Sequence, residues 1–197
     1  MPHIKSLVHL QNLRKKVGVI RCKVESYASA TPAYNLQQAP QPGKWNALQC
    51  LEHLNSYGRV YLPAIEQAIE KAEAANLHAQ PNFKSGILGA WFTNMMEPKA
   101  DGSISKMQAP KDHRPSASLD ANSVVNEFLE QQDKMEVLLQ RAEKINIQKI
   151  KIPTSLSRFI KLSLGDTFGF LIAHIRRHVL QAEKAIGVAT PYESVAK

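Results

Sequence analysis

Cysteine is almost missing from this chain: there are two, Cys22 and Cys50, among 197 residues, too few to staple a disulfide scaffold. That scarcity fits a reducing compartment, so the cytoplasm is the expected location. Long apolar runs are missing as well. None approaches the ~20 residues that would span a bilayer, and no membrane association is expected. The opening Met1-Pro2-His3-Ile4-Lys5-Ser6 lacks the apolar core of a secretory signal. No internal repeat and no low-complexity tract occurs, which excludes solenoids and linker-like chains. Acidic residues are absent from two stretches. Lys5, Arg14, Lys15, Lys16, Arg21 and Lys23 stand together without one, and so do Lys144, Lys149, Lys151, Arg158 and Lys161.

What is present is a chain of 44% apolar and 21% charged residues with a formal net charge of +8, read as a single domain over 1–197. Such an excess points first to polyanions. The basic residues, however, have no interleaved aromatics to stack bases, no zinc-finger spacing and no basic-region heptad. They read as a solvated basic face, and nucleic acid is not the expected partner.

Apolar residues recur at steps of three and four in four segments, at about 6–29, 46–75, 120–146 and 163–186. The first carries Leu10, Leu13, Val17, Ile20, Val24 and Tyr27. The second opens on Asn46-Ala47-Leu48-Gln49, a capping-box pattern, and contains Pro63, where a kink is expected. The third follows Asp120. The fourth follows Ser163-Leu164-Gly165-Asp166, another acidic capping pattern, and stops at Gly187 with Pro191 beyond. Nothing alternates with period two strongly enough to predict a sheet. The expected fold is therefore all-α, a four-helix bundle. Residues 30–45 and 147–162 read as loops, and residues 76–119 as a long crossover holding a short helix near 84–96. A crossover of that length lets the second and third helices run parallel.

Of seven histidines, only His174 and His178 have metal-ligand spacing, at i and i+4 on one helical face. Two partly buried structural histidines would give the same pattern. Ile175, Arg176 and Arg177 lie between them, without the glutamate of a His-Glu-x-x-His protease, so a third ligand must come from another helix. His53 is the best candidate, and Cys50, sharing its face at i and i+3, is the rival. Glu52, Tyr57 and Gln181 are placed to orient the rings. Glu25 and Glu52 are the carboxylates available as a general base, and each also fits a solvated helix position.

Trp45-Asn46 leading to Glu52-His53-Leu54, with a distant His174-x-x-x-His178-x-x-Gln181, resembles the DinB/YfiT-like superfamily of metal-dependent bundle proteins. Pro42-Gly43-Lys44 before the second helix, residues 106–115 in the crossover and Leu164-Gly165-Asp166 extend the likeness over roughly 6–187. The resemblance implies an up-down-down-up bundle with a divalent metal on His53, His174 and His178 at one end, nickel or zinc first, iron or manganese as alternatives. It also implies a homodimer and a small-molecule substrate. The expected activity is a transferase using a low-molecular-weight thiol, or a small-molecule hydrolase. The alternative is a non-enzymatic, metal-stabilised stress-response or binding protein. Because the basic residues read as solvated, generic duplex DNA is expected to give no gel shift at moderate salt. A shift that persists there would show that the basic face binds nucleic acid.

Overall fold

The computed structural model describes residues 3–187. Within them lie six α-helices: α1 (Ser6–Ala30), α2 (Ala33–Leu36), α3 (Ala47–Ala74), α4 (Ile87–Met96), α5 (Ala121–Ala142) and α6 (Leu164–Ala185). Two small antiparallel sheets join them. One pairs β1 (Ile4–Lys5) with β2 (Asn82–Phe83), and the other pairs β3 (Lys151–Thr154) with β4 (Ser157–Ser163). The protein is thus mostly helical, and Pro191 falls outside the described residues.

The helices form where apolar stripes and caps coincide. On α1, Leu10, Leu13, Val17, Ile20, Val24 and Tyr27 are all buried. At the start of α3, Asn46 Oδ1 accepts from the Gln49 amide at 2.8 Å while Gln49 Oε1 accepts from the Asn46 amide at 3.1 Å, a complete capping box. The helix then runs through Pro63 without ending. Asp120 caps α5. Gly187, at φ +73°, takes the left-handed conformation expected just past the end of α6.

Pairwise contacts set the directions. Asn55 bonds to Val124, Arg59 to Glu127 and Arg141 to Glu73, so α3 and α5 run parallel. Arg14 reaches Glu136 and Glu143 while Arg21 reaches Asp133, which makes α1 and α5 antiparallel. His9 meets Gly165 and Lys23 meets Glu183, so α1 and α6 are parallel. His53 meets His174 and Tyr61 meets Phe170, so α3 and α6 are antiparallel. The ion pairs among these contacts lie between helices and occupy several of the basic residues.

The segment 147–162, expected as loop, is corrected to a hairpin. Ile152 pairs with Leu162, and both are buried, while Lys151 and Lys161 face outward. The alternation covers only a few residues and is broken by Pro153, which sits where the register shifts. Tyr61 on α3 pins the turn by accepting from the Ser155 amide at 2.8 Å. Likewise α2 interrupts the first loop, and α5 ends at Ala142, short of the expected residue 146, because Ile145 bridges to His78 instead.

Asp166 joins two helices. Its amide donates to Ser163 Oγ at 3.1 Å, one half of the expected capping pattern, but its buried carboxylate accepts from Ser163 Oγ, from the Gly86 amide at 3.1 Å and from Ser85 Oγ. The carboxylate therefore caps α4. Gly89 makes room for it, since a methyl there would lie 2.5 Å from Asp166 Cβ. Replacing Gly89 with Ala gains up to about 1 kcal/mol of helix propensity, but the overpacking and disrupted bonds cost more. We expect a net loss of about 2 kcal/mol, read as a lower thermal midpoint; an unchanged or raised midpoint would refute the close-packing argument.

Candidate metal centre

Antiparallel packing of α3 on α6 brings His53 against His174 and His178, one helical turn apart. The rings are 2%, 3% and 8% exposed. Their centroids lie 5.1 Å (His53–His174), 4.6 Å (His53–His178) and 4.7 Å (His174–His178) apart, and one nitrogen from each lies within 4.8 Å of the others. The group could therefore hold a metal ion. Among the described residues, no cysteine or carboxylate joins it.

Two of the rings are held by their outward nitrogens. His53 Nδ1 lies 2.6 Å from the carbonyl oxygen of His113. A carbonyl only accepts, so Nδ1 carries the proton and Nε2 turns its lone pair inward. His178 Nδ1 donates to Gln181 Oε1 at 3.0 Å, with the same result. His53 Nε2 faces His174 Nε2 at 3.2 Å. His174 Nδ1 is buried and has no hydrogen-bond partner among the described residues. If His174 donates through Nε2 to His53, its Nδ1 stays unpaired. If it is protonated on Nδ1, two lone pairs face one another. A shared cation relieves the second arrangement, so the donor set fits a divalent metal.

Burial keeps all three rings neutral. It pushes His53 down to about 4 and His178 down to about 3. It holds His174 well below the usual imidazole range, with the neighbouring His178 and His53 acting in the same direction. Neutral imidazole is the form that ligates.

Aromatic rings close the surroundings. Trp45, just before α3, lies over His53 at 4.9 Å and His178 at 5.9 Å. Tyr57 meets His53 and His174 and stacks on His113 at 3.9 Å. Burial pushes its phenol up to about 12, so it stays protonated. His113 belongs to a 3-10 turn (Lys111–His113) of the crossover, and Ser56 Oγ fixes its ring at 2.9 Å. The crossover is also fastened to α6, by Arg176 to Glu97, Arg177 to the Ser105 carbonyl, and Lys184 to the Gly102 carbonyl at 2.6 Å.

A family model described as the DinB superfamily matches residues 21–182, more than half of the chain and all three histidines. The chain belongs to the DinB superfamily. Neither the curated proteins nor the solved structures gave a match.

For this DinB-superfamily chain, the remaining expected residues divide. Gln181 does orient a ring, and Tyr57 packs on two. Glu52 instead binds Arg59 at 2.8 Å and Glu25 binds Arg21 at 2.9 Å, so neither carboxylate reaches the histidines. Cys50 is fully buried, and burial pushes its thiol up, away from a ligating thiolate. The His113 carbonyl went unforeseen, because a backbone group in an irregular crossover leaves no mark in side-chain spacing.

The buried neutral rings set a pH dependence. The unfolded chain takes up protons near pH 6.5, whereas native His53 and His178 do so only near 4 and 3. Stability is therefore complete above pH 6.5 and falls as pH drops through that window, by up to about 1.4 kcal/mol per pH unit for each ring. Urea titrations of chelator-treated protein at pH 7, 6 and 5 check this; a flat response would contradict neutral, buried rings.

Proposed function

We propose that His53, His174 and His178 bind a divalent metal, nickel or zinc before iron or manganese, and that the protein is a metal-dependent enzyme acting on small molecules. The reading is carried by three neutral imidazoles converging in a buried site, two of them with the outward nitrogen donating to an oxygen. We further read α1, α3, α5 and α6 as an up-down-down-up four-helix bundle, supported by the pairwise directions above and by the packing of α1 and α3 each on α5 and α6. A homodimer and a cytoplasmic location belong to the same proposal.

The proposed reaction is transfer of a low-molecular-weight thiol to an electrophile, with small-molecule hydrolysis as the near alternative. A dication held by the three rings would supply Lewis acidity, favouring thiolate or hydroxide near neutral pH. The chain supplies the rest. His113 and Gln181 fix ring orientation, and Trp45 and Tyr57 exclude water. Arg177, 4% exposed and close enough to push the His174 and His178 pKa values down, adds positive potential that favours an anionic reactant.

A second reading follows from the burial of all three rings at 2–8%. In it the metal steadies α3 against α6 without turnover. Elemental analysis of purified protein is expected to find about one metal per chain, and none in His174→Ala or His53→Ala. Absence of metal from the unmutated protein would remove the central claim. Thiol-transfer and esterase assays then separate the two readings: chelation that abolishes turnover supports the enzyme, and chelation that only lowers the thermal midpoint supports the structural role.

A further inference from the structure

Two buried polar atoms beside the site have no hydrogen-bond partner among the described residues, His174 Nδ1 and Gln132 Oε1. Both residues line one cavity of about 20 Å³, together with Tyr57, Gly58 and Gln131. Gln132 is 3% exposed on α5, and its Nε2 donates to the Phe128 carbonyl at 3.3 Å, so Oε1 is the end left to accept. Gly58 keeps the space polar: the Gln131 amide lies where a side chain at that position would stand.

We propose that Gln132 is a positioning residue for the metal centre, acting on His174 through one water held in this cavity. His174 Nδ1–H donates to the water, and the water donates to Gln132 Oε1. The inference rests on the metal reading above and deepens it. A cavity needs roughly 10–15 Å³ to hold a water, which also requires polar partners, and this one meets both conditions. The water resolves the choice facing His174. With Nδ1 protonated and partnered, Nε2 presents its lone pair towards His53 Nε2, 3.2 Å away, as a shared dication requires. Each ring then has an oxygen behind it: the His113 carbonyl for His53, Gln181 Oε1 for His178, and a Gln132-bound water for His174. It also brings α5 into a site otherwise built by α3, α6 and the crossover.

The test uses the full chain and zinc. Gln132→Met keeps the shape and removes the acceptor, and is expected to weaken zinc binding by about 10-fold or more in a chelator competition. Gln132→Glu restores an acceptor oxygen and is expected to stay within about threefold of the unmutated protein, an outcome that a mere packing role does not predict. Nitrogen NMR of histidine-labelled, zinc-loaded protein should show His174 protonated on Nδ1, with a cross-peak to water that the Met variant loses. The Nδ1 proton and its water contact in the unmutated protein are read without any variant and stand even if one unfolds. Zinc bound equally by the unmutated protein and Gln132→Met, or a His174 Nδ1 proton without contact to water, overturns the proposal alone. An unmutated protein that takes up no zinc overturns the metal reading and this proposal with it.

Discussion

Each imidazole carries two nitrogens, and burying three imidazoles together between α3 and α6 obliges the fold to find partners for all of them. An unpartnered polar atom in the interior costs about 1–3 kcal/mol, and a charged ring costs more. The structure meets part of the requirement with a carbonyl from the crossover behind His53 and a glutamine one turn along α6 behind His178. The inward nitrogens face one another, with His53 Nε2 3.2 Å from His174 Nε2. A hydrogen bond from His174 Nε2 to His53 Nε2 satisfies that pair but leaves His174 Nδ1 without a partner among the described residues. A shared cation would satisfy the inward lone pairs together, which ties the chemistry of the centre to the stability of the fold.

Solving it constrains the connections. The His113 carbonyl can reach His53 only if the crossover returns over the end of α3, and a chain of that length can wander unless it is tied. Three cations on α6 tie it, each to a different point between residues 97 and 105. Parallel running of α3 and α5 is the other consequence, since the crossover carries the chain back before α5 begins. That direction is then reinforced along its length by ion pairs at Arg59–Glu127, Lys134–Glu66 and Arg141–Glu73. Individually such exposed pairs contribute little, but arranged in series they disfavour the reversed packing.

Much of this was legible in the order of residues, and what was not had physical reasons. Long stripes such as Leu10 to Tyr27 carry a strong 3.6-residue period, so α1, α3, α5 and α6 and their caps at Asn46, Asp120 and Ser163 could be read directly. The histidines on α6 were visible as a pair because their spacing is local, and His53, already the best candidate for a third ligand from another helix, was singled out more firmly by the resemblance. The hairpin at Lys151 was not visible, because its inward residues are few and Pro153 interrupts them. Glu52 looked like an orienting carboxylate because it precedes His53. Neighbours in sequence point about 100° apart on a helix, however, and Arg59 claims the carboxylate instead. Gln132 carried no signal at all, since a lone polar residue within an apolar stripe is read as noise until the cavity behind it is seen.

The charge excess acquires a different meaning once its members are placed. Arg14, Arg21, Arg59, Lys134 and Arg141 are spent between helices, and Arg176, Arg177 and Lys184 hold the crossover. Of these, Arg177 matters most for chemistry, because it is buried beside the α6 imidazoles, and its proximity already opposes protonation of His174 and His178. Adding a dication to that field raises the local potential further, and the added charge can be balanced only by a ligand bearing the opposite sign. An anion such as a thiolate or carboxylate suits that field better than a neutral electrophile does. The same positive potential that opposes loading of the proposed metal would therefore favour an anionic ligand over a neutral one.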